Sequence, residues 1–233
     1  MIKQKDFEIY LSIENHSFKI FLLDTNNLKN LYINEILIDN SSNIDFNELS
    51  IFLDDNIFKI EKLLNRFIED ICLIIDNNKE LQTNISIKKK NNNESSDQKS
   101  LNKVLVELKD LFKENNKDQY IMHMLIENFI IDGKNYKTFV DNFKSDYLHL
   151  DIKFISFPNV FLSKFNKVLE RYQIKAKCFM SGKYVKNFLD ENDTEISLMS
   201  HKVLNGYNNN EILIVPKIRP NKGFFEKFFQ LFS

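Results

Sequence analysis

Glycine is the residue this chain most nearly does without. Four occur in 233 residues, Gly133, Gly182, Gly206 and Gly223, where ordinary usage would give roughly 16. A loop that wraps a phosphate needs clustered glycines, because backbone N–H groups must approach the anion with no Cβ in the way. No two of the four share a short loop. Walker loops and dinucleotide-binding fingerprints are therefore excluded, and composition leans against a phosphate-handling enzyme.

The other biases carry less. Asn, Ile, Lys and Phe are abundant and Ala176 is the single alanine, a skew that A/T-rich codons explain. Lys+Arg (32) and Asp+Glu (33) nearly cancel, leaving a net charge of -1, so no global field draws the chain to nucleic acid. With 43% hydrophobic and 28% charged residues it can bury a core, as one large domain or a domain carrying an inserted one. Cys72 and Cys178 sit far apart in apolar runs and read as buried free thiols of a reducing compartment. The first 14 residues carry Asp6 and Glu8 and no long apolar stretch, so they do not read as a signal peptide. No apolar run approaches the 18 or so residues that span a bilayer.

Periodicity supplies an element order. Phe7–Ile13 alternates, Phe18–Leu23 follows a polar turn, and Leu28–Ile38 is a third β-like run, together an antiparallel meander. From Asp54 to Asp76 the apolar residues Ile57, Ile60, Leu63, Leu64, Phe67, Ile68, Ile71 and Ile75 recur at helical spacing, predicting one helix with Asp54 or Asp55 as N-cap. Leu81–Ile87 is a short strand and Lys88–Gln98 a polar loop. Its three lysines, Lys88, Lys89 and Lys90, have no aromatic residues among them and read as solvated rather than nucleic-acid-binding. Leu101–Phe112 is helical, Tyr120–Ile131 a long strand, and Asp132-Gly133 a tight turn. Tyr147–Phe157 is a strand, and Pro158 suits the first turn of a helix over Val160–Tyr172. Ile174–Met180 is a strand and Lys183–Leu189 a short helix. The order β-β-β-α-β-α-β-β-α-β-α implies mixed α/β layers, without an internal repeat.

One stretch carries a resemblance. Tyr120–Leu189 has a strand with a hydrophobic-His-hydrophobic start at His123, an Ile131-Asp132-Gly133 turn, and a second strand, Leu148–Ser156. A helix ending over Lys167–Ile174, a short strand and a short helix follow. This resembles FtsA, the actin-like bacterial cell-division protein, with Gln173 where that family usually has glycine. The resemblance implies an α/β fold: a partial actin-like (ribonuclease-H-like) subdomain over 1–80 and 158–216. Within it stands an inserted strand-helix-strand-strand subdomain over 81–157, with a linker and amphipathic helix over 217–233. The family's first phosphate loop, of the form D-ψ-G-T/S-S-K, falls on Ser12–Lys19. There Ser12 replaces the aspartate that partners hydrated Mg²⁺, and Glu14 replaces a glycine and would repel phosphate oxygens. About 44 residues follow Leu189, too few for the family's second half. The resemblance thus implies a truncated, non-enzymatic protein with no nucleotide cofactor, acting through division proteins. FtsZ binding in the family uses the second half, so a contact with FtsZ here would need another surface, such as Tyr120–Phe157.

The C-terminal Asn221–Ser233 stretch adds a second function. At 100° per residue, Phe224, Phe225, Phe228, Phe229, Leu231 and Phe232 fall within an arc of roughly 160°, with Lys222 and Lys227 among the polar neighbours. A helix of about 11 residues is about 16 Å long and cannot cross a bilayer. It can lie in the interface or pack on its own protein. Pro216 and Pro220 set it on a hinge after Glu211–Val215, and FtsA-family members end in an amphipathic membrane-targeting helix. Both favour the lipid reading: anionic lipids on the cytoplasmic face of the inner membrane at the division site, with self-association adding avidity.

Nothing else reads as an active site. His16, His123, His149 and His201 have no carboxylate at metal spacing, no G-x-S-x-G occurs, and Asp54-Asp55 and Asp190–Asp193 read as helix-flanking charges. No catalytic, cofactor or metal residues are expected. Two other readings remain open: an actin-like ATPase with an unrecognised nucleotide site, and a membrane-peripheral pilus or secretion scaffold.

Overall fold

The structure is a computed structural model that describes residues 6–38, 43–90, 95–96, 98–136, 143–189 and 195–212. Of these, 6–80 and 159–205 form one compact unit, and 81–158 with 206–212 form the other. The first unit opens with β1 (Phe7–Glu14), β2 (Ser17–Asp24), β3 (Lys29–Leu37), α1 (Phe46–Leu64) and β4 (Asp70–Asp76). The second contributes β5 (Leu81–Lys90), β6 (Ser95–Ser96), α2 (Gln98–Asn115), β7 (Gln119–Ile131), β8 (Lys134–Tyr136), β9 (Phe143–Lys144) and β10 (Tyr147–Pro158). The chain returns to the first unit as α3 (Asn159–Glu170), β11 (Lys175–Ser181), α4 (Gly182–Lys186) and α5 (Ile196–Leu204). It then gives β12 (Glu211–Ile212) to the second.

The first unit is a five-stranded sheet in the order β11-β4-β1-β2-β3. β1 pairs antiparallel with β2 and β2 with β3, whereas β1–β4 and β4–β11 are parallel. This order, with only β2 running against the rest, is the ribonuclease-H-like half of an actin-like fold. Alternation sends Ile9, Leu11 and Ile13 to one face, beside Leu22, Ile20 and Phe18 of β2. There α1 covers them, with the Phe52 ring 6.2 Å from that of Phe18. Glu8, Tyr10, Ser12 and Glu14 point to the other face, where α5 reaches Glu8 through His201. Both faces are covered, so β1 and β4 are buried almost throughout.

That double burial is why the helix expected over Asp54–Asp76 is two elements. α1 starts earlier, capped by Asp45 rather than Asp54 or Asp55; the Asp45 carboxylate accepts from Asn47 and Glu48 N–H. The helix ends at Asn65 in the left-handed conformation, at φ 50°. Ile71–Ile75 then forms the buried centre of β4. A short, wholly apolar run fits a buried strand and a buried helix equally by spacing.

Smaller differences follow the same logic. Where the sequence expects a polar loop over Lys88–Gln98, β5 runs through Lys90, β6 takes Ser95–Ser96 and α2 begins at Gln98. Lys89 pairs with Glu107, and Lys88 lies over the Tyr147 ring. Pro158 closes β10 instead of opening the helix. α5 has no counterpart in the sequence-based order.

In the second unit the strand order is β12-β7-β10-β5, with β8 beside β7. α2 lays Leu101, Val104, Leu105, Leu108 and Phe112 on one face, and Phe112 stacks on Phe154 at 4.6 Å. On the opposite face Asp151 accepts from Ser86 and Asn128. Asp132 and Gly133 both have positive φ, 45° and 80°, as a two-residue hairpin between β7 and β8 requires. β12 pairs Glu211 with Leu125 and Ile212 with Met124. Residues 206–212, grouped by the sequence with the actin-like subdomain, belong to the second unit instead; Glu211–Ile212 joins its sheet, where His123 Nδ1 lies 2.7 Å from Glu211 Oε1.

Candidate functional site at the carboxyl ends of the parallel strands

Open α/β sheets bind ligands outside the carboxyl ends of their parallel strands. Here those ends are Glu14 on β1, Asp76 on β4 and Ser181 on β11. Lys186, on the last turn of α4, reaches between the first two. Its Nζ lies 3.0 Å from Glu14 Oε2 and 2.8 Å from Asp76 Oδ2. Burial alone would lower the Lys186 pKa, but hydrogen bonds to Asp76 and Glu14 raise it. The two turns are also tied to each other: Asn77 Nδ2 donates to Asn15 Oδ1 at 2.6 Å, and Lys79 N–H donates to Asn77 Oδ1. The Ser181 hydroxyl donates to Glu80 and accepts the Tyr184 N–H at the start of α4.

Gly182 makes this arrangement possible. A Cβ there would stand 2.8 Å from Asp76 Cβ and 3.1 Å from Asp76 N. Only a residue without a side chain lets α4 come this close to β4. α4 then presents Lys186 to the two carboxylates.

Chemically the place is a clamp of opposite charges. Glu14, Asp76 and Glu80 bring three carboxylates, and Lys186 bridges two of them. A phosphate brought to the β1–β2 turn would face the Glu14 carboxylate, and Lys186 is already paired. Ser12, two residues before Glu14 on the same face, is 4% exposed and has no charge with which to hold a hydrated cation. The sequence placed Ser12 and Glu14 here. It missed Asp76, Asn77, Ser181, Gly182 and Lys186, and the readable signal was Asp76 ending a five-residue apolar run. Phe224, Phe225, Phe228, Phe229, Leu231, Phe232, Lys222 and Lys227 lie outside the described residues.

A second titratable cluster holds α5 to the same sheet face. The Glu8 carboxylate accepts from Tyr10 Oη at 2.6 Å, His201 Nδ1 at 2.8 Å and Lys177 Nζ at 3.0 Å. Burial raises the Glu8 pKa, but the His201 hydrogen bond and the Lys177 ammonium outweigh it and hold the carboxyl at about 2. Cys72 and Cys178 are free, buried thiols beside Tyr10. At the amino ends of β4 and β11 a groove of about 940 Å³ includes Glu61, Glu69, Asp70, Arg171 and Lys175 in its lining. The mixture of signs selects no one ligand charge.

No family model matches the chain, and no curated protein sequence matches it. Solved structures similar to it include the cytoplasmic domain of EpsL, an inner-membrane component of the type II secretion system of Vibrio cholerae. There the identity is 8% over 75% of this chain and 57% of that one, with a TM-score of 0.37. A PilM–PilN type IV pilus biogenesis complex matches at 8% identity over 76% and 48%, with a TM-score of 0.47. A Bacteroides thetaiotaomicron protein with an actin-like ATPase fold and unknown function matches at 13% identity over 79% and 56%, with a TM-score of 0.30. The chain spans about half the length of these structures.

Proposed function

We propose that the protein is a non-enzymatic, FtsA-like scaffold of the cell-division machinery, held to the inner membrane by Gly223–Phe232. The observation that carries this reading is the phenylalanine face of the C-terminal segment, set off by Pro216 and Pro220. If each of the six apolar side chains gains on the order of 1 kcal/mol on partial burial, the sum is about 6 kcal/mol before ordering costs. The net is marginal, comparable to a single lipid chain. One copy binds reversibly, and clustered copies bind by avidity. The clamp of Glu14, Lys186 and Asp76 supports the non-enzymatic part of the reading. It sets carboxylates at the β1–β2 turn, where the resemblance to FtsA would put a nucleotide phosphate.

Liposome flotation tests the attachment. The full chain floats with anionic vesicles, and deletion of Gly223–Ser233, or Phe225→Glu with Phe228→Glu, abolishes flotation. Unchanged flotation refutes the membrane role. Micromolar binding of ATP-Mg would instead favour an actin-like ATPase. Localisation separates the division role from a pilus or secretion scaffold: midcell bands support the first, polar or scattered foci the second.

A further inference from the structure

Helix α1 buries Leu49, Phe52, Leu53, Ile57 and Ile60 and leaves a distinct outer stripe. At 100° per residue, Ile51, Asp55, Phe58 and Lys62 fall within an arc of roughly 60°. Ile51 is 54% exposed and Phe58 71%. Single exposed apolar residues are ordinary. Here two share one stripe, and the charges beside them are sorted along the axis. Asp54 and Asp55 precede Phe58, and Lys59 and Lys62 follow it, all exposed; Glu61, between the two lysines, is turned aside and accepts the Ile68 N–H.

We propose that this stripe is the contact between two copies of the chain, α1 against α1, antiparallel about a two-fold axis beside Phe58. A two-fold contact must be complementary to itself. Antiparallel pairing sets Phe58 near Phe58 of the second copy. Asp55 and Lys62 lie on the same flank of the stripe, so each meets its opposite on the other helix, twice over. Parallel pairing would set Asp55 on Asp55 and Lys62 on Lys62. The order acid, apolar, base along one helix is therefore complementary to its own reversed copy. Against an anionic bilayer the stripe gains nothing from charge, because Asp54 and Asp55 offset Lys59 and Lys62. The inference deepens the scaffold reading, which needs several tails held together, and rests on it only for that consequence.

Sedimentation velocity of the full chain in lipid-free buffer tests it. The chain dimerises with concentration, and Phe58→Glu weakens the dimer roughly tenfold or more. Asp55→Lys alone and Lys62→Asp alone each weaken it, whereas the two together restore it. A chain that stays monomeric, a Phe58→Glu dimer as tight as the parent, or a double reversal as weak as the singles overturns the proposal. All these positions are exposed, and matching thermal melts show that the variants fold. The scaffold reading fails separately: it is refuted if deletion of Gly223–Ser233 leaves flotation unchanged, and neither result of that deletion alters the lipid-free dimer.

Discussion

Glu8 is a residue whose charge the fold depends on. Its carboxyl, at about 2 in the folded chain, lies below its ordinary value of 4.5. Ionised Glu8 therefore stabilises the fold fully above about pH 4.5, and the contribution is lost as pH falls through about 2. It amounts to about 3 kcal/mol. Urea unfolding at about pH 6 and about pH 3 should show a loss of about 2 kcal/mol from this group, absent from Glu8→Gln, which starts less stable at neutral pH. Lys186→Met leaves Glu14 and Asp76 facing each other uncompensated. Because Lys186 and Glu14 are each 36% exposed, solvent screens the effect, and a loss of about 1 kcal/mol is expected, measured by the same unfolding. A rescue by Glu14→Gln in the Lys186→Met background would tie that loss to the carboxylate. Glu14 was legible in the sequence because it breaks a known loop pattern. Lys186 was not, because its role depends on a close approach at Gly182 that no local spacing records.

Among the elements, meander strands and α2 were legible because each has one buried face, which prints a period of two or 3.6 on the sequence. β4 was not, because burial on both faces erases the period. The same loss merged it with α1. At the end of α3, Gln173 has a φ of 60°, in the left-handed region that costs a side chain but not glycine. Ile174 N–H closes back on the Leu169 carbonyl around it at 3.1 Å. Gln173→Gly relieves that strain, and its gain in the folded state is partly offset by a more flexible unfolded chain. A net stabilisation of about 0.5 kcal/mol is expected, read as a higher urea midpoint with an unchanged slope. A lower midpoint would mean that the Gln173 side chain makes a contact that outweighs its backbone cost.

For the whole molecule, the sheet of the first unit is assembled from distant parts of the chain. The α/β class followed from the element order. Membership of β12 in the second sheet did not, because two residues of strand carry no period, and their buried partner His123 lies far away in sequence. The parallel pairing of β4 with β11 joins Asp70 to Lys175, about one hundred residues apart. All of Leu81–Pro158 is made between them. At synthesis rates of roughly 5 to 20 residues per second, the apolar edge of β4 waits on the order of 5 to 20 seconds for its neighbour. During that interval the nascent chain offers an unpaired, hydrophobic strand edge to anything nearby. The second unit has most of its own strands and α2 in hand before β11 emerges, and can fold first. The interrupted topology thus sets a schedule for biogenesis: an early window of stickiness that a ribosome-associated chaperone is suited to cover, ended when Lys175–Ser181 arrives.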